Sequence, residues 1–191
     1  MRLNARQLRD VDESEVKKHL EAIKRRPMYF ILENIYDTYN IGGLFRLADA
    51  LAIEKIYICG DSEIPPNHKI KKASIGTYKV VPWVYKKTAK EAIEELRNLE
   101  FKIESSESNK KIINFKSKVI AVEQDKKSIP YTKVDYSGPV ALILGNETSG
   151  VTEETLKLAD QIAEIPMWGI NKSLNVIVSA AIVGYWVASL V

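Results

Sequence analysis

Short apolar runs alternate with helix-like segments along this chain, and that alternation constrains the fold more than any other feature. Met28 to Leu32 is such a run; a helical pattern from about Ile41 to Leu51 follows it, then a second run from Lys55 to Cys59. Strand, helix and strand in that order build a parallel sheet, because two parallel strands need a crossover between them. Val80 to Tyr85 then reads as a strand, Thr88 to Leu99 as an amphipathic helix, Lys118 to Val122 as a strand, and Val140 to Leu144 as a strand buried on both faces. Gly60 to Gly76, with Pro65, Pro66, Lys69, Lys71 and Lys72, reads as a long, functional or mobile loop. Residues 102–117 fit neither period. Residues 12–26 read as a surface helix, with Asp12 and Glu15 as a capping box, Val16, Leu20 and Ile23 as its apolar stripe, and Pro27 as its stop. No repeat or Gly/Ser linker divides the 191 residues. One α/β domain over 28–191 is expected, preceded by a helical extension over 1–27.

The C-terminal run from Val176 to Val191 is nearly all apolar, interrupted by Ser179, Gly184 and Ser189. It is short of the roughly 20 residues that a bilayer span needs, and no Lys or Arg follows to anchor it. A helix covered by protein on every side is the reading. One cysteine, Cys59, excludes a disulfide within the chain, and two distant histidines, His19 and His68, leave the usual zinc spacings unmet. No metal is expected. Met1 to Arg26 holds no apolar stretch of signal-peptide type, so a cytoplasmic location is expected. A net charge of +3 is too mild to identify a nucleic-acid binder by itself.

Three segments concentrate polar residues where strands end. The first runs from Asn34 through Asn40, Gly42 and Gly43 to Arg46, between a buried strand and a helix. Ligands of open α/β sheets bind there, outside the carboxyl ends of strands. A capped helix whose Arg46 makes a surface ion pair is the plain alternative. The second, Gly145-Asn146-Glu147-Thr148-Ser149-Gly150, follows the Val140 strand directly, and an ordinary acidic turn would look the same. The third, Ile165 to Asn175, leads into the C-terminal helix, with Ser173 as a natural N-cap. Asn175 is harder to dismiss, since an amide at the start of an apolar helix must find partners.

Together these segments resemble the three motifs of the SpoU (TrmH-like) family of RNA 2′-O-methyltransferases in the SPOUT superfamily. Asn40, Gly42 and Arg46 match Asn-x-Gly-x-x-x-Arg; Gly145, Glu147 and Gly150 match Gly-x-Glu-x-x-Gly; and Ile165 to Val176 matches Ile-Pro-Met-x-Gly-x-x-x-Ser-Leu-Asn-Val. Ala73-Ser74-Ile75-Gly76 is a looser likeness. Ile177 stands where a small polar residue is common and Lys172 where an acidic one is frequent, and no counterpart of the family's separate RNA-binding domain is expected.

The resemblance implies a mostly parallel sheet flanked by helices with a C-terminal deep trefoil knot, a feature that general folding rules would never suggest. It implies S-adenosylmethionine bound by Leu144, Gly145, Asn146, Gly150, Ile165, Met167, Gly169, Ser173, Leu174 and Asn175. It implies catalytic or positioning roles for Arg46, Asn40, Glu147, Ser173 and Asn175. The family proposal makes the arginine a general base; a guanidinium, with a pKa above about 12, suits alkoxide or phosphate stabilisation better. Arg25, Arg26, Lys69, Lys71, Lys72, Lys86 and Lys87 are candidate RNA contacts, with solvated surface charge as the alternative for each. Competing readings are a base methyltransferase, which the first motif opposes, and an RNA-binding or assembly protein without turnover. The expected substrate is tRNA or rRNA, tRNA being favoured. A homodimer is expected through the C-terminal helix, Trp186 included, alongside the helix that carries Arg46.

Overall fold

The computed structural model describes residues 3–12, 16, 20, 23–99, 101–104 and 112–190. Its centre is β1 (Arg26–Glu33), flanked by β2 (Ile53–Cys59) and β8 (Val140–Leu144). Among the described residues, seven strands form one parallel sheet in the order β3-β2-β1-β8-β6-β9-β7, with β3 at Trp83–Lys86, β6 at Lys118–Val122, β9 at Gln161–Glu164 and β7 at Ile129–Pro130. Strand order turns back beside β1, which opens a crevice at the carboxyl ends of β1 and β8.

Strand side chains alternate between faces, and the alternation sorts the core into two layers. Met28, Phe30 and Leu32 of β1, with Leu142 and Leu144 of β8, meet helices α2 (Thr38–Ala50) and α6 (Val176–Ser189). Tyr29 and Ile31, with Ala141 and Ile143, instead meet Ala92, Ile93 and Leu96 of α4 (Ala89–Asn98) on the other face. Both faces are covered, so the central strands are apolar throughout. The second layer holds Cys59, whose thiol is pushed up to about 12 by burial and then by Glu33 and Glu91.

Several expectations need correction. Residues 60–76 are not one loop: α3 (His68–Ser74) occupies part of them, capped by Asn67 and ended by left-handed Ile75 and Gly76. A single buried apolar residue, Ile70, anchors it, too few to give a periodic signal. The strand read at Val80–Tyr85 begins later, at Trp83, because a 3-10 turn at Thr77–Lys79 and Pro82 intervene. Arg26 and Pro27 belong to β1, with irregular register between Arg26 and Tyr29; Pro27 opens a strand there and ends no helix. Of the helix read over 12–26, Val16 and Leu20 are helical and 23–25 are not, while the other residues between Asp12 and Ile23 lie outside the described residues. A helix α1 (Ala5–Asp10), with an Asn4 and Gln7 capping box, went unread. It is pinned to the domain where Lys79 Nζ donates to the carbonyls of Arg9 (2.9 Å) and Val11 (3.1 Å). The ambiguous stretch forms an antiparallel pair, β4 (Phe101–Glu104) with β5 (Ile112–Phe115).

Candidate active site

At the end of β1 the chain meets the loop that follows β8. Asn34 takes a left-handed conformation at φ 53°, and its carbonyl accepts from Asn146 Nδ2 at 2.9 Å. Buried Glu33 beside it accepts from the backbone and hydroxyl of Thr152 at 2.9 and 3.0 Å and from the Thr155 hydroxyl at 2.5 Å, which ties β1 to the short helix α5 (Glu153–Leu156). Asp37 then caps α2 through the Tyr39 amide (2.8 Å), setting Asn40 in the first turn.

The loop after β8 is closed on itself. Asn146 and Gly150 exchange backbone hydrogen bonds of 3.2 and 2.8 Å, and Asn146 Oδ1 accepts from the amides of Thr148 and Ser149 at 2.8 and 3.0 Å. Gly145 has no room for a side chain, since a Cβ there would lie 2.3 Å from the Gly150 carbonyl carbon. Gly150 adopts φ 69° and would set a Cβ 2.2 Å from a carboxylate oxygen of Glu123, the group that accepts from the Val151 amide at 2.9 Å.

One relay of amides joins all three polar segments. Asn40 Nδ2 donates to Glu147 Oε1 (2.5 Å), Asn175 Nδ2 donates to Asn40 Oδ1 (3.0 Å), and Asn175 Oδ1 accepts from the Ile177 amide (2.9 Å). Its direction is forced from both ends. An ionised carboxylate only accepts and a helix-terminal N–H only donates, so each asparagine has one permitted orientation. Asn175 is thus the N-cap of α6, correcting the expectation that Ser173 holds that place. Glu147 is exposed while Asn40 is buried.

A cavity of about 370 Å³ opens beside the relay. It is walled by the loops after β6, β8 and β9 and by the start of α6, and Leu144, Gly145, Asn146, Glu147, Gly150, Ile165, Met167, Ser173 and Leu174 line it. Gly169 does not; it is exposed, with nothing within 4 Å of a Cβ built on it. Asn175 is absent from the lining as well and acts through its cap and Asn40. Thr148 and Ser149, inside the expected loop from Leu144 to Gly150, line the cavity too, and sequence reasoning missed Val122, Glu123, Gln124, Ala163, Lys172, Val176 and Ser179. The end of the Lys118 strand was legible, and applying the strand-end rule there would have found Glu123 and Gln124. Gln124 Nε2 donates to the Lys172 carbonyl at 2.8 Å, so the loops after β6 and β9 hold each other.

Arg46 is exposed on α2 and makes no ion pair or hydrogen bond with a described residue. Its plain reading as half of a surface pair is not met. Arg25 instead donates to the carbonyls of Ile53 (2.9 Å) and Val80 (2.6 Å), and Arg26 to that of Ala188 (3.2 Å), so both guanidinium groups serve the fold. Lys69, Lys71, Lys72 and Lys87 are exposed, whereas Lys86 pairs with Glu95 at 2.5 Å. No group of acidic, histidine or cysteine side chains among the described residues could hold a metal ion.

The SpoU rRNA methylase family pattern matches residues 27–185. The chain belongs to that family. Curated relatives include a tRNA (guanosine(18)-2′-O)-methyltransferase of Aquifex aeolicus, 29% identical over 91% of this chain and 75% of the relative. The protein of the same name from Thermus thermophilus is 29% identical over 92% of this chain and 82% of its own length. Among solved structures, an S-adenosylmethionine-bound rRNA methyltransferase from Sinorhizobium meliloti superposes with a TM-score of 0.74 at 24% identity, over 96% of this chain and 60% of that one. That likeness shows the fold. For this SpoU member it agrees with the parallel sheet and flanking helices read from the sequence.

Proposed function

We propose that this SpoU chain methylates a ribose 2′-hydroxyl of RNA, tRNA in preference to rRNA, using the cavity beside the amide relay for its methyl donor. Family membership carries the reaction class, S-adenosylmethionine-dependent RNA 2′-O-methylation. The observation that carries the rest is the relay through Glu147, Asn40 and Asn175, which latches the helix of Arg46 to two walls of the cavity. The first relatives being tRNA enzymes supports the tRNA preference.

The cavity suits S-adenosylmethionine. Its volume falls within the range of small-molecule sites, and Gly145 and Gly150, which no larger residue could replace without a clash, shape its edge. Leu144, Ile165, Met167 and Leu174 offer apolar surface for the ring, with Asn146, Ser173 and Gln124 as polar neighbours. The bound cofactor supplies an already activated methyl group. The chain's own task is to hold a ribose hydroxyl in line and to support its oxygen as the proton leaves. Arg46, without a partner among the described residues, presents a cation to that oxygen and its phosphate. Asn40 and Glu147 fix the loops around it, and Asn175 fixes the start of α6.

Three further readings accompany this one. The chain forms a trefoil knot at its C-terminal end: β9 lies beyond β6, yet α6 returns to pack on α2, and the Gln124 contact with Lys172 fits passage of residues 165–175 past the loop after β6. It works as a cytoplasmic homodimer through α6, whose exposed Val178 and Tyr185 sit on one side; no helix among the described residues is long and apolar enough to cross a membrane. Trp186 is half-buried against Tyr131, so Tyr185 is the better interface probe. The methyltransferase domain runs from β1 at Arg26, two residues before the expected boundary at 28, and α1 of the extension before it docks on the domain through Lys79. Incubating the protein with labelled S-adenosylmethionine and total RNA, then digesting to nucleosides, tests the function. A 2′-O-methylated nucleoside from the tRNA fraction is expected; label on a base, or none in RNA, would overturn it.

A further inference from the structure

Helix α2 is buried on every side but one. Its exposed residues are Tyr39, Arg46 and Ala50, with half-open Gly43 between them, a spacing of four, seven and eleven that makes a single stripe. Neighbouring helices turn this stripe into a groove. On the side of Gly42, α3 comes so near that a Cβ would lie 2.5 Å from Ala73 Cβ; on the side of Gly43, α6 brings Ile177 Cδ1 within 2.3 Å of a Cβ. At 3.6 residues per turn the two glycines fall on opposite sides of the line from Tyr39 to Arg46.

The floor of this groove and the helix beside it have distinct chemistry. Tyr39 is 51% exposed and Tyr36, just before the helix, is 58% exposed; neither hydroxyl bonds to a described residue. On α3, Lys69, Lys71 and Lys72 are exposed and make no ion pair with a described residue. Open aromatic rings on the stripe that carries the Arg46 cation match single-stranded nucleic acid, whose bases offer faces and whose phosphates offer charge. A duplex hides those faces. Tyr39 and Arg46 stand seven residues apart, about 10 Å along the helix, a span that neighbouring nucleotides of an unstacked strand bridge.

We propose that Tyr39 and Tyr36 are a stacking platform for an unpaired base next to the ribose held at Arg46, so that the enzyme selects looped over paired RNA. This rests on the RNA methyltransferase reading above. The test uses a stem-loop RNA carrying 2-aminopurine in its loop, the same strand annealed to its complement, and the full chain as parent, Tyr39→Phe, Tyr39→Ala and Tyr36→Ala/Tyr39→Ala.

The parent is expected to bind the stem-loop more tightly than the duplex and to change the probe's fluorescence. Each ring lost should raise KM for RNA by at least about fivefold, with kcat and cofactor affinity within twofold, and Tyr39→Phe should behave as parent. Three results would overturn the platform: KM within twofold in the double variant, equal loss in Phe and Ala, or a double variant that turns monomeric where the parent is dimeric, which would assign the rings to a protein interface. A parent that methylates no RNA would instead sink the underlying function, so the two failures are distinct.

Discussion

Reversing the polarity of the amide relay is the sharpest test of what it does. Asn175→Ala removes the cap on Ile177 N, costing about 1 kcal/mol, and leaves Asn40 Oδ1 without its donor. Because Asn175 is exposed, water reaches that oxygen and the second loss stays near 0.5 to 1 kcal/mol, well below that of a sealed orphan. The total is about 1.5 to 2 kcal/mol of a stability on the order of 5 to 15. Asn175→Asp keeps the cap but can no longer donate. Asn40 must then turn its amide toward the new carboxylate, which sets its oxygen against Glu147, and the lost charged hydrogen bond costs about 1 kcal/mol after discounting for the exposure of Glu147. Adding Glu147→Gln should repair this, since glutamine can donate where glutamate could not. Urea unfolding of the parent, Asn175→Ala, Asn175→Asp, Glu147→Gln and the double variant reads the result. The double variant should recover to within about 0.5 kcal/mol of the parent, whereas simple addition of the two single losses would show that the relay carries no directional coupling.

Arg46→Ala should keep the fold and cofactor affinity while lowering methyl transfer at least about a hundredfold, as loss of a transition-state donor does; single-turnover assays with activity within tenfold of the parent would refute it. Gly42→Ala should cost about 1 to 3 kcal/mol in thermal unfolding, because the new methyl meets Ala73 Cβ at 2.5 Å and the Ser74 amide at 2.9 Å, groups that cannot swing aside. Gly43→Ala should cost less, since its obstacle is the mobile tip of Ile177. Cys59, buried and with its thiol raised to about 12, holds almost no thiolate at pH 8; folded protein should therefore resist a disulfide-exchange reagent that labels it at once in denaturant.

The central sheet was legible because Met28 to Leu32, Val119 to Ala121 and Val140 to Leu144 are buried on both faces and need no partner to be recognised. Edge elements were not. Ile129–Pro130 and Gln161–Glu164 are too short to show a period, and α3 is held by Ile70 and by a fit against Gly42 that becomes visible only with both helices in place. The polar site divided in the same way. Strand-end loops marked Asn40, Glu147 and Gly145 by position, but nothing in the chain order indicates that residues 40, 147 and 175 hydrogen-bond to one another. Arg25 and Arg26 show the opposite limit: composition marks a cation, and only the fold reveals that backbone carbonyls engage it.

The cavity is lined by residues 122–124, 144–150, 163, 165, 167, 172–174, 176 and 179, with nothing from the first half of the chain among the described residues. With the methyl donor placed in this cavity as proposed, a partly unfolded molecule has no cofactor site until α6 has docked. Binding becomes a report on completed assembly, and cofactor at a hundred times its Kd would add about 2.7 kcal/mol to the folded state alone. Cellular supply of the methyl donor would then govern how long this protein survives as well as how fast it works.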